Sequence, residues 1–360
     1  MDILWYNWKD IKNPGAGGAE VYTHQIAKRL VERGHKITLF VSWFEGSNQE
    51  ESIDGIRVIR RGGRFGVYRK AKAFYKHAGT NFDCVVDEIN TRPFLTPAFV
   101  KNTSIVALIH QLAREFWFYE TPFPVALIGY YFLEKRWLAN YRNVPTITVS
   151  ESSKIDLQKL GFTNISIVHN GLNVEPVQDI PAKNERPTII YVGRMKKAKR
   201  PQDVIEAFKI IKNEVPDAEL WMVGDGYMRR NLESKNKGVK FYGYLDNNLR
   251  DELVQKAWVL AVPSIREGWS QVVTDSNALG TPAVGYDVPG LRDSIRAGYD
   301  GLLVEGNPPS LAAGLTKILK NKDSRETFAK NSVEWATHFS WDESAKRFAQ
   351  VLERVETDSK

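Results

Sequence analysis

The chain has one cysteine, Cys84, so it can build neither a disulfide framework nor a thiolate metal cluster. A lone cysteine also suits a reducing compartment. Its six histidines (His24, His35, His77, His110, His169 and His338) are scattered, with no pair at metal-ligand spacing. There is no Asp-x-Asp motif, no short repeat and no low-complexity segment. Long apolar runs are missing as well. The longest nearly uninterrupted one, Phe123 to Leu133, falls well short of the ~18 residues a spanning helix needs. Met1-Asp-Ile-Leu-Trp-Tyr6 puts no cationic region before an apolar stretch, so it reads as a first strand rather than a signal peptide. The expectation is a soluble, cytoplasmic protein.

What is present is globular: 42% hydrophobic and 26% charged residues over 360 positions, enough for roughly two domains of about 150 residues each. The net charge of +7 favours contact with something anionic. Strand-like and helix-like segments alternate from the start. Asp2–Tyr6 is followed by the glycine-rich turn Asn13–Gly18 and then by Tyr22, Ile26 and Leu30 on one helical face. Lys36–Val41, Phe82–Val86, Ile105–Ile109 and Thr146–Val149 read as buried strands, and Ser150 as the cap of a helix ending near Gly161. The stretch from Asn170 to Pro187 has no periodicity and reads as a linker. Beyond it the alternation restarts with Thr188–Val192, a helix opened by Pro201, and strands at Glu219–Val223 and Trp258–Val262. Ser340-Trp-Asp-Glu343 has the capping-box pattern of a last helix. The fold expected is α/β, with two doubly wound Rossmann-like domains facing across a cleft. Their bounds are 1–170 and 188–338, joined by the linker 171–187. The final segment 339–360 is expected to pack back towards the first domain.

Ligands of open parallel sheets bind beyond the carboxyl ends of the strands, so residues there are the candidates. Gly15-Ala-Gly-Gly18 follows the first strand and precedes a helix, where backbone can approach a phosphate. Glu20 stands where the dinucleotide fingerprint needs its last glycine, which argues against a dehydrogenase; a plain tight turn is the simpler alternative. Arg194 and Lys199 sit five residues apart around the turn after Thr188–Val192, a fork and a point charge that can reach one pyrophosphate. A solvated basic loop fits the same residues. Glu267 lies at a turn before a helix, and Asp275 two helical turns further along the same side. His110 ends the strand at Ile105–Ile109; a lone histidine is more often structural.

In their order these segments resemble the retaining glycosyltransferases of family 4, which have the two-domain GT-B architecture. The resemblance rests on Gly17-Gly-Ala-Glu20, His110, Ser150, Asn170-Gly171, Val192-Gly-Arg194 with Lys199, and Val223-Gly-Asp-Gly226. It continues through Pro263-Ser264, Glu267-Gly268 with Asp275, and Gly280-Thr-Pro282. It implies a nucleotide-sugar donor held mainly by the second domain. Arg194 and Lys199 would hold the diphosphate, Glu267 the donor sugar and Asp275 the ribose. Gly268, Trp269, Ser270 and Gln271 would approach the sugar and phosphate through their backbone. Gly17 and Gly18 would close over the diphosphate, and His110 would lie beside the transferred sugar. Asp275 stands where the family usually has Glu, Trp269 and Ser270 where it has Phe and Gly, and Arg200 where a glycine is usual.

The activity so implied is transfer of a hexosyl or N-acetylhexosaminyl group from a UDP- or GDP-linked donor to an acceptor hydroxyl, with retention. The departing diphosphate would take the acceptor's proton. Side-chain cations would stabilise it, with no metal and no cofactor. The alternative is a non-catalytic nucleotide-sugar binder or degenerate partner subunit. Nothing resembles a nucleic-acid recognition element. Two further features suggest a glycan or lipid-linked acceptor at an anionic membrane surface, with peripheral binding to the inner face of the membrane. From Arg60 to His77 the chain carries Arg60, Arg61, Arg64, Arg69, Lys70, Lys72 and Lys76 with Phe65, Tyr68, Phe74 and Tyr75 interleaved; from Phe116 to Trp137 it is rich in aromatics. Burial of those aromatics in a domain core is the simpler alternative.

Overall fold

Short apolar segments buried on both faces form the central strands of two sheets in a computed structural model of the chain, which describes residues 1–78 and 82–357. These residues fall into two units. One comprises Met1–Trp117, Phe123–Gly171 and Ser340–Lys360; the other comprises Phe118–Pro122 and Leu172–Phe339.

The first unit carries β1 (Asp2–Tyr6), β2 (Lys36–Val41), β3 (Glu50–Ile53), β4 (Ile56–Arg60), β5 (Cys84–Glu88), β6 (Ser104–Leu108), β7 (Thr146–Thr148) and β8 (Ile165–Ile167). They lie in the order β3-β4-β2-β1-β5-β6-β7-β8. All pairs are parallel except β3–β4, an antiparallel hairpin absent from the sequence-based expectation. Its signal is Asp54-Gly55, with both φ angles positive (47° and 78°), as the twist of a two-residue hairpin turn requires. Ser150 caps the helix Glu151–Gln158, accepting from Ser153 N at 3.2 Å. The last helix, Trp341–Thr357, belongs to this unit. Phe348 stacks on Trp5 at 5.0 Å, and Asp342 accepts from Arg29 Nε at 2.7 Å.

The second unit carries β9 (Thr188–Val192), β10 (Glu219–Val223), β11 (Lys240–Gly243), β12 (Val259–Val262), β13 (Ala283–Tyr286) and β14 (Gly301–Val304). Their order is β11-β10-β9-β12-β13-β14, parallel throughout. Connections run one way from β9 and the other way from β12, so the crevice of this doubly wound sheet opens between the loops following those two strands. In the first sheet the same reversal falls between β1 and β5. The fold is thus two doubly wound, Rossmann-like α/β units.

The chain passes from one unit to the other between Gly171 and Leu172. The residues that follow form no helix or strand, yet they are seated on the second unit. Val174 and Val177 pack against its core, and Val177 N donates to Ala278 O at 2.9 Å. Lys183 Nζ donates to Gln255 O, Gly280 O and Thr281 Oγ1 at 2.8–2.9 Å, and burial pushes its ammonium down to about 7.

Two surface expectations change in the folded chain. Arg60 does not belong to an exposed basic run: it is fully buried, donating to Asp10 at 2.7 and 3.0 Å and to Asn48 O at 3.0 Å. The helix Val67–Ala78 is amphipathic, so its aromatics do not interleave with its cations at the surface. Phe74 packs on Phe40 at 5.1 Å and Tyr75 donates to Lys101 O at 3.2 Å, while Arg69, Lys70, Lys72 and Lys76 are exposed. The aromatic segment divides as well. Trp117 is buried over Gly129, whereas Phe123, Val125, Ile128, Tyr131 and Phe132 are exposed, Phe123 to 78%. No described helix is long and apolar enough to cross a membrane.

Candidate active site

The turn after β9 carries Arg194, Lys196 and Lys199, and the loop after β12 carries Glu267. The turn is seated by the Val223-Gly-Asp-Gly226 segment at the end of β10. Met195 N donates to Asp225 O at 2.8 Å. Gly224 has φ +121°, and a Cβ there would fall 2.1 Å from Gly193 O, so only glycine permits this approach. The second loop is tied to the first by Ile265 N, which donates to Ala198 O at 3.1 Å. Glu267 N donates to Pro289 O at 3.0 Å, and Gly290, with φ +80°, packs so closely that a Cβ would lie 2.2 Å from Glu267 O. Backbone contacts therefore fix Glu267, which is 8% exposed. Lys199 Nζ donates to Glu267 Oε1.

Lys196 is the site residue that the sequence reading missed. Burial holds its ammonium below the usual lysine range, and neighbouring Lys199 and Arg194 push the same way, against Glu120 and Glu267. Arg194, Lys196 and Lys199 thus act on one another within this loop, and an anionic ligand would relieve their mutual repulsion. A run of Arg, Lys and Lys around a strand-end turn was its signal; Lys196 differs from Lys197 only in pointing inward. Arg200 adopts φ +48°, the left-handed conformation that makes glycine usual there, and pairs with Asp203 at 2.7 Å.

The helix Gln271–Ala278 begins at this loop with Ser270 at its N-cap. Ser270 is 2% exposed, and its Oγ has no hydrogen-bond partner among the described residues. An orphaned buried hydroxyl beside a helix N-terminus and a cation cluster suits a phosphate oxygen. Trp269 packs edge-on against Phe339 at 4.9 Å. Asp275 is 9% exposed and already well occupied. Its Oδ1 accepts from Asn173 N at 3.0 Å and Gln271 Nε2 at 2.8 Å; its Oδ2 accepts from Asn173 Nδ2 at 3.0 Å. Burial raises its carboxyl above the usual range, and these bonds oppose the rise. One acceptor direction on Oδ2 remains for a ligand hydroxyl.

In the first unit Gly17 and Gly18 open the helix Gly18–Glu32, and Gly17 N donates to Glu20 Oε2 at 2.6 Å. His110 lies beyond β6, with Nε2 3.1 Å from Glu88 Oε1 and its ring edge-on to Tyr22 at 5.0 Å. Glu88, at the end of β5, was not singled out in the sequence. Its signal is an acidic pair, Asp87-Glu88, closing an apolar strand at the mouth of a sheet. Among the described residues no group of three or more His, Cys, Asp and Glu side chains could hold a metal ion.

Two family descriptions match the chain. Residues 16–176 match glycosyltransferase family 4, and residues 175–335 match the glycosyl transferases group 1. An uncharacterized glycosyltransferase of Methanocaldococcus jannaschii is 28% identical over 60% of this chain and 61% of its own length. The chain therefore spans less than two thirds of that relative. A D-inositol 3-phosphate glycosyltransferase of Corynebacterium urealyticum is 24% identical over 95% of this chain and 92% of its own. The solved sucrose-phosphate synthase of Thermosynechococcus elongatus shares the fold, with a TM-score of 0.80 at 22% identity over 98% of each chain. With both halves matched in order and each built on its own doubly wound sheet, the chain belongs to the retaining glycosyltransferases of family 4, which have the GT-B fold.

Proposed function

We propose that this protein transfers a sugar from a nucleotide-diphosphate sugar, UDP- or GDP-linked, to an acceptor hydroxyl with retention of configuration. The observation that carries this reading is the cluster of Arg194, Lys196 and Lys199 against Glu267 at the sheet crevice. Glycosyl transfer from such a donor develops charge on the departing diphosphate, and preorganised cations stabilise that charge most where water is scarce. Arg194 and Lys199 take the diphosphate, with Lys196 completing the cluster. The Ser270 hydroxyl and the helix behind it take a phosphate oxygen. Glu267, released from Lys199 as the lysine turns to phosphate, accepts from hydroxyls of the donor sugar. Asp275 accepts from a ribose hydroxyl through its remaining acceptor direction. The diphosphate oxygen freed on the sugar face accepts the acceptor's proton.

A glycan or lipid-linked acceptor at an anionic membrane is the finer reading. It is supported by the exposed Arg69, Lys70, Lys72 and Lys76 and by the exposed apolar side chains of Phe123, Val125, Ile128, Tyr131 and Phe132. The test of the activity is a melting-temperature panel with UDP-glucose, UDP-N-acetylglucosamine, UDP-galactose and GDP-mannose. A ligand at 100 times its Kd stabilises by about 2.7 kcal/mol. One donor should raise the melting temperature and release its nucleotide diphosphate, and the product should keep the donor's anomeric configuration. No shift and no release with any donor would overturn the reading.

A further inference from the structure

At the carboxyl end of the first sheet a buried carboxylate gathers residues distant in sequence. Glu88 is 1% exposed. Its Oε2 accepts from Trp5 Nε1 at 2.9 Å and from the Thr23 hydroxyl, and its Oε1 lies 3.1 Å from His110 Nε2. With its proton on Glu88, the Thr23 hydroxyl accepts from Asn7 Nδ2 at 3.1 Å, and Asn7 Oδ1 accepts from Asn90 Nδ2 at 2.9 Å. The Thr23 hydroxyl also lies 3.1 Å from Ala19 O, but its shorter contact is with Glu88, so the donors of the network point towards Glu88. Trp5 Nε1 can only donate and an ionised carboxylate can only accept, so the proton between Glu88 and the imidazole belongs on Nε2. His110 Nδ1 then keeps its lone pair. That nitrogen has no hydrogen-bond partner among the described residues, and it is not one of the unpartnered side-chain atoms sealed from solvent. The ring cannot easily turn, because Ser153 Oγ donates to His110 O at 2.9 Å and Tyr22 packs edge-on against the imidazole.

We propose that Glu88 is a positioning residue that holds His110 in the Nε2–H tautomer, leaving Nδ1 as a fixed acceptor for a hydroxyl of a sugar ligand. The identity of the ligand rests on the glycosyl-transfer reading above; the tautomer does not. An acceptor nitrogen orients the hydroxyl proton towards the ring and leaves the oxygen lone pairs free, whereas an N–H there would orient the hydroxyl the opposite way.

Glu88→Gln keeps the shape and reverses this polarity. The carbonyl of the introduced amide must face Trp5 Nε1, which offers only a proton. Its NH2 then faces His110, so Nε2 must accept and Nδ1 must carry the hydrogen. Long-range ¹⁵N–¹H NMR on the full chain reads the tautomer directly. The wild type is expected to show a pyridine-like Nδ1, and Glu88→Gln a pyridine-like Nε2. With the donor selected by the melting panel, Glu88→Gln should lower kcat roughly tenfold to hundredfold while donor KM changes little. Glu88→Asp should recover part of the rate. In a His110→Ala background, Glu88→Gln should cost nothing further. A wild-type Nδ1–H tautomer overturns the proposal even if Glu88→Gln fails to fold. So does a switched tautomer with unchanged kcat, or an equal Glu88→Gln loss in the absence of His110. If the wild type transfers no sugar from any donor, the functional reading fails, and the tautomer measurement still decides whether Glu88 sets the imidazole.

Discussion

Replacing Asp275 with Ala should weaken the fold and the nucleotide site together, because one carboxylate serves both. Three donors from Asn173 and Gln271 converge on it. Hydrogen bonds to a charged group contribute about 1.5–3 kcal/mol each. The sum is an overestimate. Asn173 is exposed and Gln271 half-buried, so their side-chain amides can turn to water, and burial of the carboxylate itself is unfavourable, as its raised pKa shows. A net loss of about 2–3 kcal/mol remains, or roughly 5–10 °C in melting temperature for a unit of this size. Asp275→Asn should cost about as much, since one amide hydrogen must face Asn173 or Gln271 donors. The single acceptor direction left on Oδ2 would meet one ribose hydroxyl, so free nucleotide diphosphate should bind about tenfold to hundredfold more weakly. Denaturant unfolding and calorimetry with UDP and GDP on the same preparations separate the two effects. An unchanged stability would refute the anchoring of Asn173. Unchanged nucleotide affinity with lowered stability would refute the ribose contact and leave Asp275 purely structural.

Arg194→Ala and Lys199→Ala should each lower turnover about tenfold to hundredfold without unfolding the chain, with Lys199→Arg recovering only part; near-normal steady-state rates in both alanine variants would remove them from the donor site. Asp300 should make stability fall as pH rises. Burial lifts its carboxyl to about 7, so the folded chain binds a proton that the unfolded chain releases near pH 4, and the loss is complete by about pH 7. Asp300→Asn should abolish that slope and stabilise the chain at pH 7 by about 1–3 kcal/mol, since a neutral amide removes the buried charge while Asn277, once its own amide turns, keeps one hydrogen bond to it; chemical denaturation at pH 4, 5.5 and 7 checks it, and a flat wild-type profile would contradict it. Anionic vesicles should sediment the protein at low salt, with binding that fades at high salt and in the variant with Arg69, Lys70, Lys72 and Lys76 changed to Ser; no binding at low salt would leave a soluble acceptor.

Much of this could be read along the chain because it is local. Strand-length apolar runs alternating with helical periodicity carry the two doubly wound units, and Gly, Pro and Ser at the element ends carry the turns and caps. Arg194, Lys199 and Glu267 stand at strand-end loops, and a parallel sheet places every such loop on one edge. Three-dimensional packing decided what depends on partners remote in sequence. Glu88 ends β5 and His110 follows the neighbouring β6, 22 positions on, and nothing local says that a carboxylate there will meet an imidazole. Asn173 meets Asp275 across 102 positions, which turns an expected ribose ligand into an anchor of the chain's entry to the second unit. Arg60 reads as surface charge in a basic run but becomes a buried partner of Asp10, because β4 lies inside the sheet edge that β3 covers. Helix geometry separates Tyr75 from Lys76: composition counts them together, and the step of about 100° between successive helical residues sends the ring inward and the ammonium out.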